Sequence, residues 1–429
     1  MAAKAIPRFR KRAYGPSIWQ RLLESRLAYL YIVPAGLVML LITFLPLLFQ
    51  VWMSLTNYGS RHLRTEGLVG LFAKMVASFS PTALAACKEG SSEVLCFLNL
   101  KNFGDILGNR LALSGFDFWN MLSFNLIWTF INVFFHVVMG VAFALLLNTK
   151  GLYFKRFYRA LYIIPWALPA LISGMVWRNM YDKDFGAVNL MTKLRVDWIN
   201  ATTEPVRLGL QQIAKGLGLS GPLGVLAKAL GDLRSWLFYL IAFAVVGLVV
   251  ALFALLRRYD PAAGVRSTVL IVVILLGVVA LVLLNWRMPY SFYAVLVANI
   301  WLGWPFMMTV ATGALQGIPE ELYEAARIDG AGTWQAFWQV TAPLLRPAMV
   351  PAIMIGMMMT FNQFNVIYFV TGGNPLHRTE ILVTQAFRLV NEQRLYGMAA
   401  SFSIIVFFVL AVITLITNRI SRATESYAA

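Results

Sequence analysis

Long stretches without charged residues dominate this sequence and predict membrane-spanning helices. A helix needs about 20 apolar residues to cross the hydrocarbon core of a bilayer. Continuous apolar runs such as Val269–Leu284 lack the short alternating pattern of barrel strands, so helices are expected instead. We therefore predict an all-α polytopic membrane protein with about eight transmembrane helices. The eight runs are 28–52, 119–147, 160–177, 236–256, 269–286, 292–313, 347–371 and 399–417.

Composition agrees with this interpretation and excludes several other classes of protein. The 429 residues are 59% apolar and only 13% charged, with a formal net charge of +17. Soluble domains carry about 25% charged residues, so a soluble enzyme, a disordered chain and a disulfide scaffold are excluded. In so apolar a chain, the basic excess indicates cytoplasmic loops rather than a nucleic-acid surface.

The placement of basic residues predicts the orientation. Short loops decide orientation, whereas long loops count for little. The tail 1–27 and the short loop 148–159 are both rich in Lys and Arg, whereas the basic residues assigned outside lie mostly in the long loops 53–118 and 178–235. Arg287, in a short outside link, argues the other way. We expect the tails 1–27 and 418–429 to be cytoplasmic, and 28–52 to be a retained first span rather than a signal peptide.

Two outside segments have alternative interpretations. Loop 53–118 is long enough for a small extracytoplasmic subdomain, and it contains both cysteines, Cys87 and Cys96. In an oxidising compartment these cysteines would form a disulfide; otherwise they are two free thiols. Segment 206–234 has apolar residues at loose helical spacing, which is typical of an interfacial amphipathic helix or of an ordinary packed loop.

Few residues offer catalytic chemistry. His136 is the one ionisable residue within the eight predicted spans, and a hydrogen-bonded packing role is favoured over a proton relay. No Gly-Lys pair occurs, which excludes a Walker-type phosphate loop, and no cysteine or histidine spacing fits a metal. We expect neither an ATPase site nor a metal site, and no enzyme activity in this chain.

The seventh predicted span has an unusual polar centre. Residues 360–365, Thr-Phe-Asn-Gln-Phe-Asn, place three amides and two aromatic rings where lipid would penalise unpaired polar groups. Amides can bond the hydroxyls of a neutral solute while rings cover its C–H faces. Hydrogen bonding between helices is the alternative.

The connection 314–346 predicts a helix–turn–helix outside the bilayer core. Pro319 suits the first turn of a helix, and Glu320 and Glu321 suit its positive end. Thr333 can cap a second helix, which Pro343 would end. The segment holds more apolar residues than a linker needs, which indicates a surface for contact with another protein.

The same connection carries a family resemblance. Glu324-Ala325-Ala326, Gly330 and Val340-Thr341-Ala342-Pro343 resemble the EAA loop of binding-protein-dependent ABC importers, in which the loop docks onto the ATPase. Residues 299–308 and 361–375 resemble carbohydrate permeases of the maltose/maltodextrin type. The resemblance is strong over 290–422 and weaker over 28–198.

This resemblance implies a type I (MetI-like) permease core, formed by 119–198 and 290–417, in the bacterial inner membrane. It implies that the chain moves a maltodextrin-like di- or oligosaccharide. The expected partners are a second homologous permease subunit, an ABC ATPase dimer and an extracytoplasmic sugar-binding protein. ATP and magnesium would bind the partner ATPase, and no cofactor would bind this chain. Residues 199–289 have no recognised counterpart, and we interpret them as an inserted loop and two-helix hairpin.

The resemblance also carries over residue roles. Gly356, Thr360 and Gln363 differ from the maltose-type pattern at their positions, so a related sugar is as plausible as maltose. The expected ATPase-coupling residues are Glu321, Glu324, Ala325, Ala326, Asp329, Gly330 and Pro343. The expected substrate-pathway residues are Leu302, Gly303, Phe306, Gly356, Thr360, Asn362 and Gln363.

Two other function classes remain as alternatives. An ion-coupled secondary transporter of a neutral solute would act without an ATPase, but the missing buried carboxylates argue against it. A structural membrane scaffold would show no sugar-dependent ATPase stimulation in complex with its partners.

Overall fold

The computed structural model of the chain is helical throughout the part that it describes. That part comprises residues 26–62, 68–88, 94–111, 113, 115–149, 151–193, 195–216, 221, 225, 229, 233, 235–258, 274 and 276–425. Within these ranges strand pairing is limited to one antiparallel bridge between Thr56 and Phe97.

The helices are numbered here in chain order. The first two are α1 (Arg26–Met39) and α2 (Leu45–Ser54), joined by the π-helical turn Leu40–Phe44. The next are α3 (Leu68–Ala77), α4 (Pro81–Lys88), α5 (Lys101–Leu107), α6 (Phe118–Asn148), α7 (Lys155–Ala167), α8 (Ala170–Met180), α9 (Ala187–Thr192), α10 (Pro205–Gly216), α11 (Ser235–Arg258) and α12 (Leu276–Asn285). The last are α13 (Tyr290–Gln316), α14 (Glu320–Ile328), α15 (Thr333–Ala336), α16 (Ala342–Phe361), α17 (Phe364–Val370), α18 (Leu382–Asn391) and α19 (Tyr396–Glu425).

Several of these helices have the length and composition of membrane spans, which confirms the predicted fold class. Within the described residues five stretches qualify, and a bent pair, α7 with α8, makes a sixth. The predicted spans 236–256 and 269–286 correspond to shorter apolar helices, Leu237–Leu252 and Leu276–Asn285. Residues 269–273 lie outside the described part. The five stretches are Tyr31–Ser54, Phe118–Asn148, Tyr290–Gln316, Thr333–Val370 and Tyr396–Ile416.

The predicted span over 160–177 is bent, because the chain turns by 88° between α7 and α8. Leu168 takes an extended conformation with ψ of 139°, as residues before proline usually do. Pro169 then precedes the first residue of α8. The continuous apolar sequence hides this bend, because both halves face apolar surroundings.

The predicted span 347–371 is also broken. Its helix α16 ends at Phe361, and α17 begins at Phe364 after Asn362 and Gln363. The break leaves backbone carbonyls without helical partners, and side chains of α6 bond them. Trp128 Nε1 donates to the carbonyl of Thr360 at 3.0 Å, and Asn125 Nδ2 donates to that of Phe361 at 3.1 Å. Irregular backbone at membrane depth therefore stays satisfied by neighbouring protein.

Helices α6 and α13 form the centre of the molecule. In an 18-residue apolar window of Tyr290–Gln316, 61% of the residues are buried inside the protein, whereas none are in the corresponding window of Tyr31–Ser54. Gly140 of α6 allows the close approach, since a Cβ there would lie 2.7 Å from the Met308 amide nitrogen. Asn299 Nδ2 donates to Asn132 Oδ1 at 2.8 Å across the same contact.

The segment between α2 and α6 folds onto the start of α19. Asn102 Nδ2 donates to the carbonyls of Ser54 and Thr56, each at 2.9 Å, and the amide of Gly397 donates to the Tyr58 carbonyl at 2.7 Å. Cys96 is buried and disulfide-bonded. The only other cysteine in the sequence is Cys87, whose side chain lies outside the described residues, so the pairing remains a prediction that the state of Cys96 supports.

The region predicted as an insertion packs against the core. Helix α11 contacts α6 through Phe243 and Phe130, whose ring centroids are 6.3 Å apart. Helix α10 turns Leu210 toward the core and leaves Ile213 exposed, so an amphipathic helix forms within the part of 206–234 that the structure describes. Arg378, from the loop after α17, donates to Glu204 Oε1 and to the carbonyl of Arg287, each at 2.8 Å.

Candidate functional site

A cavity of about 270 Å³ lies where the two broken helices meet the central pair. It contains six of the seven predicted substrate-pathway residues, which come from α13, α16 and the break after α16. Their role in transport stays a prediction. The lining residues are His136, Trp166, Leu168, Ala170, Asn299, Leu302, Gly303, Phe306, Met307, Gly356, Met359, Thr360 and Gln363.

Asn362 is the predicted pathway residue that the structure does not place at this cavity. It follows the last residue of α16, and its side chain is exposed. Its Nδ2 donates to the Met358 carbonyl at 3.2 Å, one helical turn earlier. Asn362 therefore closes the helix end, whereas its neighbour Gln363 lines the cavity.

The cavity combines aromatic faces with uncharged polar groups. The rings of Trp166 and Phe306 lie with their centroids 6.1 Å apart. The Thr360 hydroxyl and the Gln363 amide hydrogen-bond to none of the described residues, so both groups are open to a ligand. No charged side chain is among the described residues that line the cavity. Such a surface suits a neutral molecule with hydroxyl groups and apolar C–H faces.

Sequence reasoning missed the contribution of the α7–α8 bend. Trp166, Leu168 and Ala170 line the cavity, although the sequence interpretation treated this stretch as an ordinary span. The available signal was the pair of prolines at 165 and 169, because prolines four residues apart disrupt helical hydrogen bonding. The outer halves of the two broken helices then pack together: a Cβ on Gly174 of α8 would lie 3.0 Å from Cβ of Phe369 in α17.

Residues 320–341, named here the docking segment, form the second candidate site. Helix α14 buries none of its residues, and its first turn holds Glu320 and Glu321. Gly330 then takes the left-handed conformation, with φ of 79°, and turns the chain. The Tyr323 hydroxyl lies 3.0 Å from the Thr341 hydroxyl and ties α14 to the following helix.

The docking segment presents apolar and acidic groups together. Ile328 is 86% exposed and Trp334 is 71% exposed, so large apolar side chains here are left uncovered by the described part of the chain. Glu324 is exposed and forms no ion pair with any described residue. Of the predicted coupling residues, Glu321, Glu324, Ala325, Asp329 and Gly330 are exposed, and Ala326 and Pro343 are half-buried.

The predicted helix–turn–helix is present, but its second helix begins and ends differently. Gly332, not Thr333, is the N-cap, and its amide donates to Gln335 Oε1 at 3.1 Å. Pro343 does not end the helix. A π-helical turn, Phe337–Thr341, precedes it, and Pro343 lies in the first turn of α16, where a missing N–H costs little. The docking segment therefore runs directly into a membrane span.

Both sides of the docking segment connect to the cavity. Helix α13 carries Leu302, Gly303 and Phe306 and ends at Gln316, four residues before α14 begins. Helix α16 starts directly after the docking segment and carries Gly356 and Thr360. Motion at the docking segment can thus reach both cavity walls through continuous helices.

A third polar cluster lies in the loop after α17. Glu380 is buried, and its Oε1 accepts from Arg388 Nη1 at 2.8 Å and lies 3.2 Å from His377 Nδ1. Burial raises the pKa of Glu380, while Arg388 and His377 act against that rise. No residue of this cluster is among the described residues that line the cavity of about 270 Å³.

Comparison with known proteins assigns the class. Residues 222–426 match the family described as the binding-protein-dependent transport system inner membrane component. The resemblance that the docking segment predicts is thereby confirmed, and the relatives of this chain are transport permeases.

Particular relatives agree with this class. The chain is similar to the galactooligosaccharides transport system permease protein GanP of Bacillus subtilis, with 23% identity over 90% of this chain and 68% of the relative. It is similar to the trehalose/maltose transport system permease protein MalF of Thermococcus litoralis, with 24% identity over 93% and 95%. The maltose/maltodextrin permease MalF of Escherichia coli is 24% identical over 71% of this chain and 46% of the relative.

The fold also resembles that of a solved importer. A bacterial ABC transporter involved in the import of the acidic polysaccharide alginate superposes with a TM-score of 0.53 and 16% identity. The alignment covers 95% of this chain and 99% of that one. At this identity the likeness concerns the fold alone.

Proposed function

We propose that this chain is the membrane permease of an ABC importer and moves a neutral di- or oligosaccharide of the maltodextrin type into the cytoplasm. The observation that carries the proposal is the docking segment. It exposes apolar and acidic side chains together and continues directly into helices that line an uncharged cavity. Such a surface needs a partner, and such a cavity suits a sugar.

The docking segment supports an ATPase as that partner. Two ATPase subunits would bind the cytoplasmic face, and ATP with magnesium would be held there rather than by this chain. A second, homologous permease would complete the pathway, and an extracytoplasmic binding protein would deliver the sugar. Closure of the ATPase dimer would displace α14 and, through α13 and α16, rearrange the cavity between outward and inward access.

The cavity supports the choice of a neutral sugar. Its polar groups are a hydroxyl, two amides and an imidazole, and its apolar walls include two aromatic rings. An acidic polysaccharide would need cationic partners, and no Lys or Arg is among the described lining residues. The relatives named for maltose, maltodextrin, trehalose and galactooligosaccharides transport point to the same chemical class.

The topology follows from the same proposal. The docking segment must face the cytoplasm to meet the ATPase. The carboxyl end of α6 lies on the same face, because Ala144 and Leu147 pack with Leu315 and Leu345, which flank the docking segment. We propose that the basic loop 148–159 is cytoplasmic, as the charge pattern indicates, and that the predicted even number of spans leaves both tails in the cytoplasm of a bacterium that holds this chain in its inner membrane.

Reconstitution tests the proposal directly. The chain would be purified with its second permease and ATPase subunits, placed in proteoliposomes with the binding protein, and supplied with labelled maltose or maltotriose. We expect that uptake requires ATP. We also expect that dissipating the ion gradient leaves uptake unchanged. Uptake driven by an ion gradient without the ATPase would instead establish the secondary transporter.

A charge reversal in the docking segment isolates the coupling step. Glu324→Lys should prevent copurification of the ATPase and reduce uptake at least 100-fold, because it replaces an exposed anion at the contact with a cation. Lys183→Glu, a charge reversal in the link between α8 and α9, is the matched control and should copurify normally. Normal ATP-driven uptake by Glu324→Lys would contradict the docking role.

A further inference from the structure

His136 is a buried imidazole for which neither the docking segment nor the predicted pathway provides a role. It lies in the middle of α6, is 4% exposed and lines the cavity. A polar side chain buried to this degree is costly unless its hydrogen-bonding groups find partners. The partners of its two ring nitrogens therefore indicate what the residue does.

One ring nitrogen has a partner and the other does not. Nε2 lies 3.0 Å from the backbone carbonyl oxygen of Asn299. A carbonyl oxygen only accepts hydrogen bonds, so Nε2 carries the proton. Nδ1 has no hydrogen-bond partner among the described residues. An imidazolium would also have no counter-ion among the described residues lining the cavity, so the ring is neutral and Nδ1 is a free acceptor.

The ring is held in one position. Gly303 of α13 lies against it, and a Cβ at that position would be 2.7 Å from Nδ1 and nearer still to Cε1 and Nε2. Asn299 is fixed in turn, because its Nδ2 donates to Asn132 Oδ1, and Asn132 Nδ2 donates to the Trp128 carbonyl at 2.8 Å. This chain of bonds fixes the direction of the Nδ1 lone pair.

The other open polar groups in the cavity complement this acceptor. The Thr360 hydroxyl and the Gln363 amide can each donate and accept, and neither bonds a described residue. Nδ1 of His136 can only accept, so it selects a group that donates. Sugar hydroxyls both donate and accept hydrogen bonds. The hydroxyls of one sugar can therefore bond His136 Nδ1, the Thr360 hydroxyl and the Gln363 amide together.

We infer that His136 is a further substrate contact, whose Nδ1 accepts a hydrogen bond from one hydroxyl group of the transported neutral sugar. The inference rests on the proposed function and adds a selecting residue to the positions expected from the family resemblance. It also explains why position 303 is glycine: any larger residue would displace the ring. The ligand class is thus a polyol or saccharide with a donor hydroxyl facing α6.

The test uses the complete importer in proteoliposomes and a set of monodeoxy maltoses, each lacking one hydroxyl. We expect one analogue to reduce wild-type kcat/KM about tenfold, the effect of one lost hydrogen bond to a buried acceptor. His136→Phe should raise the KM for maltose about tenfold and remove the discrimination against that analogue alone. His136→Gln, which keeps a donor and an acceptor, should restore part of the affinity.

The comparison of variants distinguishes a substrate contact by His136 from a role of its ring in packing. The binding protein is the same in every arm, so its preference among analogues cancels in the ratio of wild type to variant. Phe134→Leu, on the exposed face of the same helix, is the matched control and should retain the wild-type pattern. If His136→Phe does not assemble, His136→Met replaces it.

Two outcomes would overturn the inference, and they can be told apart. If the variants discriminate among the deoxy analogues as the wild type does, the ring only packs between α6 and α13, while the proposed sugar transport stands. If the wild-type complex hydrolyses ATP but moves no sugar in the set, the proposed substrate class fails and the inference fails with it.

Discussion

The cavity and the docking segment are neighbours along the chain, since α13 precedes the segment and α16 follows it, but their residues differ in chemistry. The cavity is lined by residues of α6, α7, α8, α13 and α16, and its polar groups are uncharged. The docking segment is exposed, holds Glu320, Glu321, Glu324 and Asp329, and leaves Ile328 and Trp334 uncovered. The described walls of the cavity come from this chain, whereas the docking segment is the surface that we propose a partner covers.

The difference teaches how the two sites tolerate change. In the cavity each atom is constrained by close neighbours, so an added methyl group at the wrong position should affect stability and transport together. On the docking segment most side chains are exposed, so substitutions there should leave the fold intact and affect association alone. The predictions that follow test this division, beginning with the largest effect.

Gly330→Pro should abolish ATP-driven uptake, with a loss of at least 100-fold. Gly330 has φ of 79°, and proline is restricted to φ near −65°, so the turn after α14 cannot form. Gly332→Ala is the matched control, because its φ of −68° suits any residue and a Cβ there meets nothing within 4 Å. ATPase copurification is the measurement, and binding by Gly330→Pro would show that the turn does not position α14.

Gly303→Ala should destabilise the protein by roughly 2 kcal/mol and reduce uptake about 30-fold, since its methyl group overlaps the His136 ring. Gly313→Ala, ten residues along the same helix, adds a methyl group with nothing within 4 Å and should be neutral. Thermal inactivation of the detergent-solubilised complex measures the difference. Equal stability of both variants would mean that the His136 ring moves aside for the added methyl group at little cost in free energy.

Ile328→Ser and Gln363→Leu should have separate effects of about tenfold each. The first removes exposed apolar surface from the docking segment and should weaken ATPase binding without changing the KM for maltose. The second removes an open amide from the cavity and should raise that KM without changing ATPase binding. A variant that altered both ATPase binding and the KM for maltose would contradict the separate roles of the two regions.

Glu380 should give the smallest effect, and it should appear in the stability of the folded chain. Burial raises its pKa in the folded chain, so the folded state binds more protons than the unfolded state. Stability from this group should therefore fall as pH rises from the ordinary glutamate pKa toward the raised value. Glu380→Gln should remove this contribution to the change of the free energy of unfolding with pH. If the wild type instead gained stability over the variant as pH rises, the assignment would be refuted.

The order of helix, turn and helix in the docking segment could be predicted, because its signals are local, but the two ends of the second helix could not. Pro319, the acidic first turn and Gly330 act over single turns of helix, and the structure has a helix, a left-handed turn and a second helix in that order. The prediction failed at Pro343, since the π-helical turn Phe337–Thr341 depends on how the segment joins the span. A tertiary junction of this kind leaves no short sequence pattern.

The cavity was predictable only in part, because it forms between distant segments. Residues on α13 and α16 were expected from the family resemblance, and the structure brings six of them together. Trp166 and His136 come from other helices, and only their packing reveals that they share the cavity. The 88° bend behind Leu168 was hidden because hydropathy measures how apolar a run is and carries no information about its direction.

The continuity of α13 has a mechanical consequence. It is 27 residues long, and Leu302 stands 14 positions before Gln316, which corresponds to about 21 Å of helix. A rigid tilt of roughly 10° about the Gln316 end would displace Leu302 by about 4 Å, close to the distance between two packed carbon atoms. A small tilt of α13 at its Gln316 end is therefore enough to break a close contact at the cavity where we propose that the sugar binds.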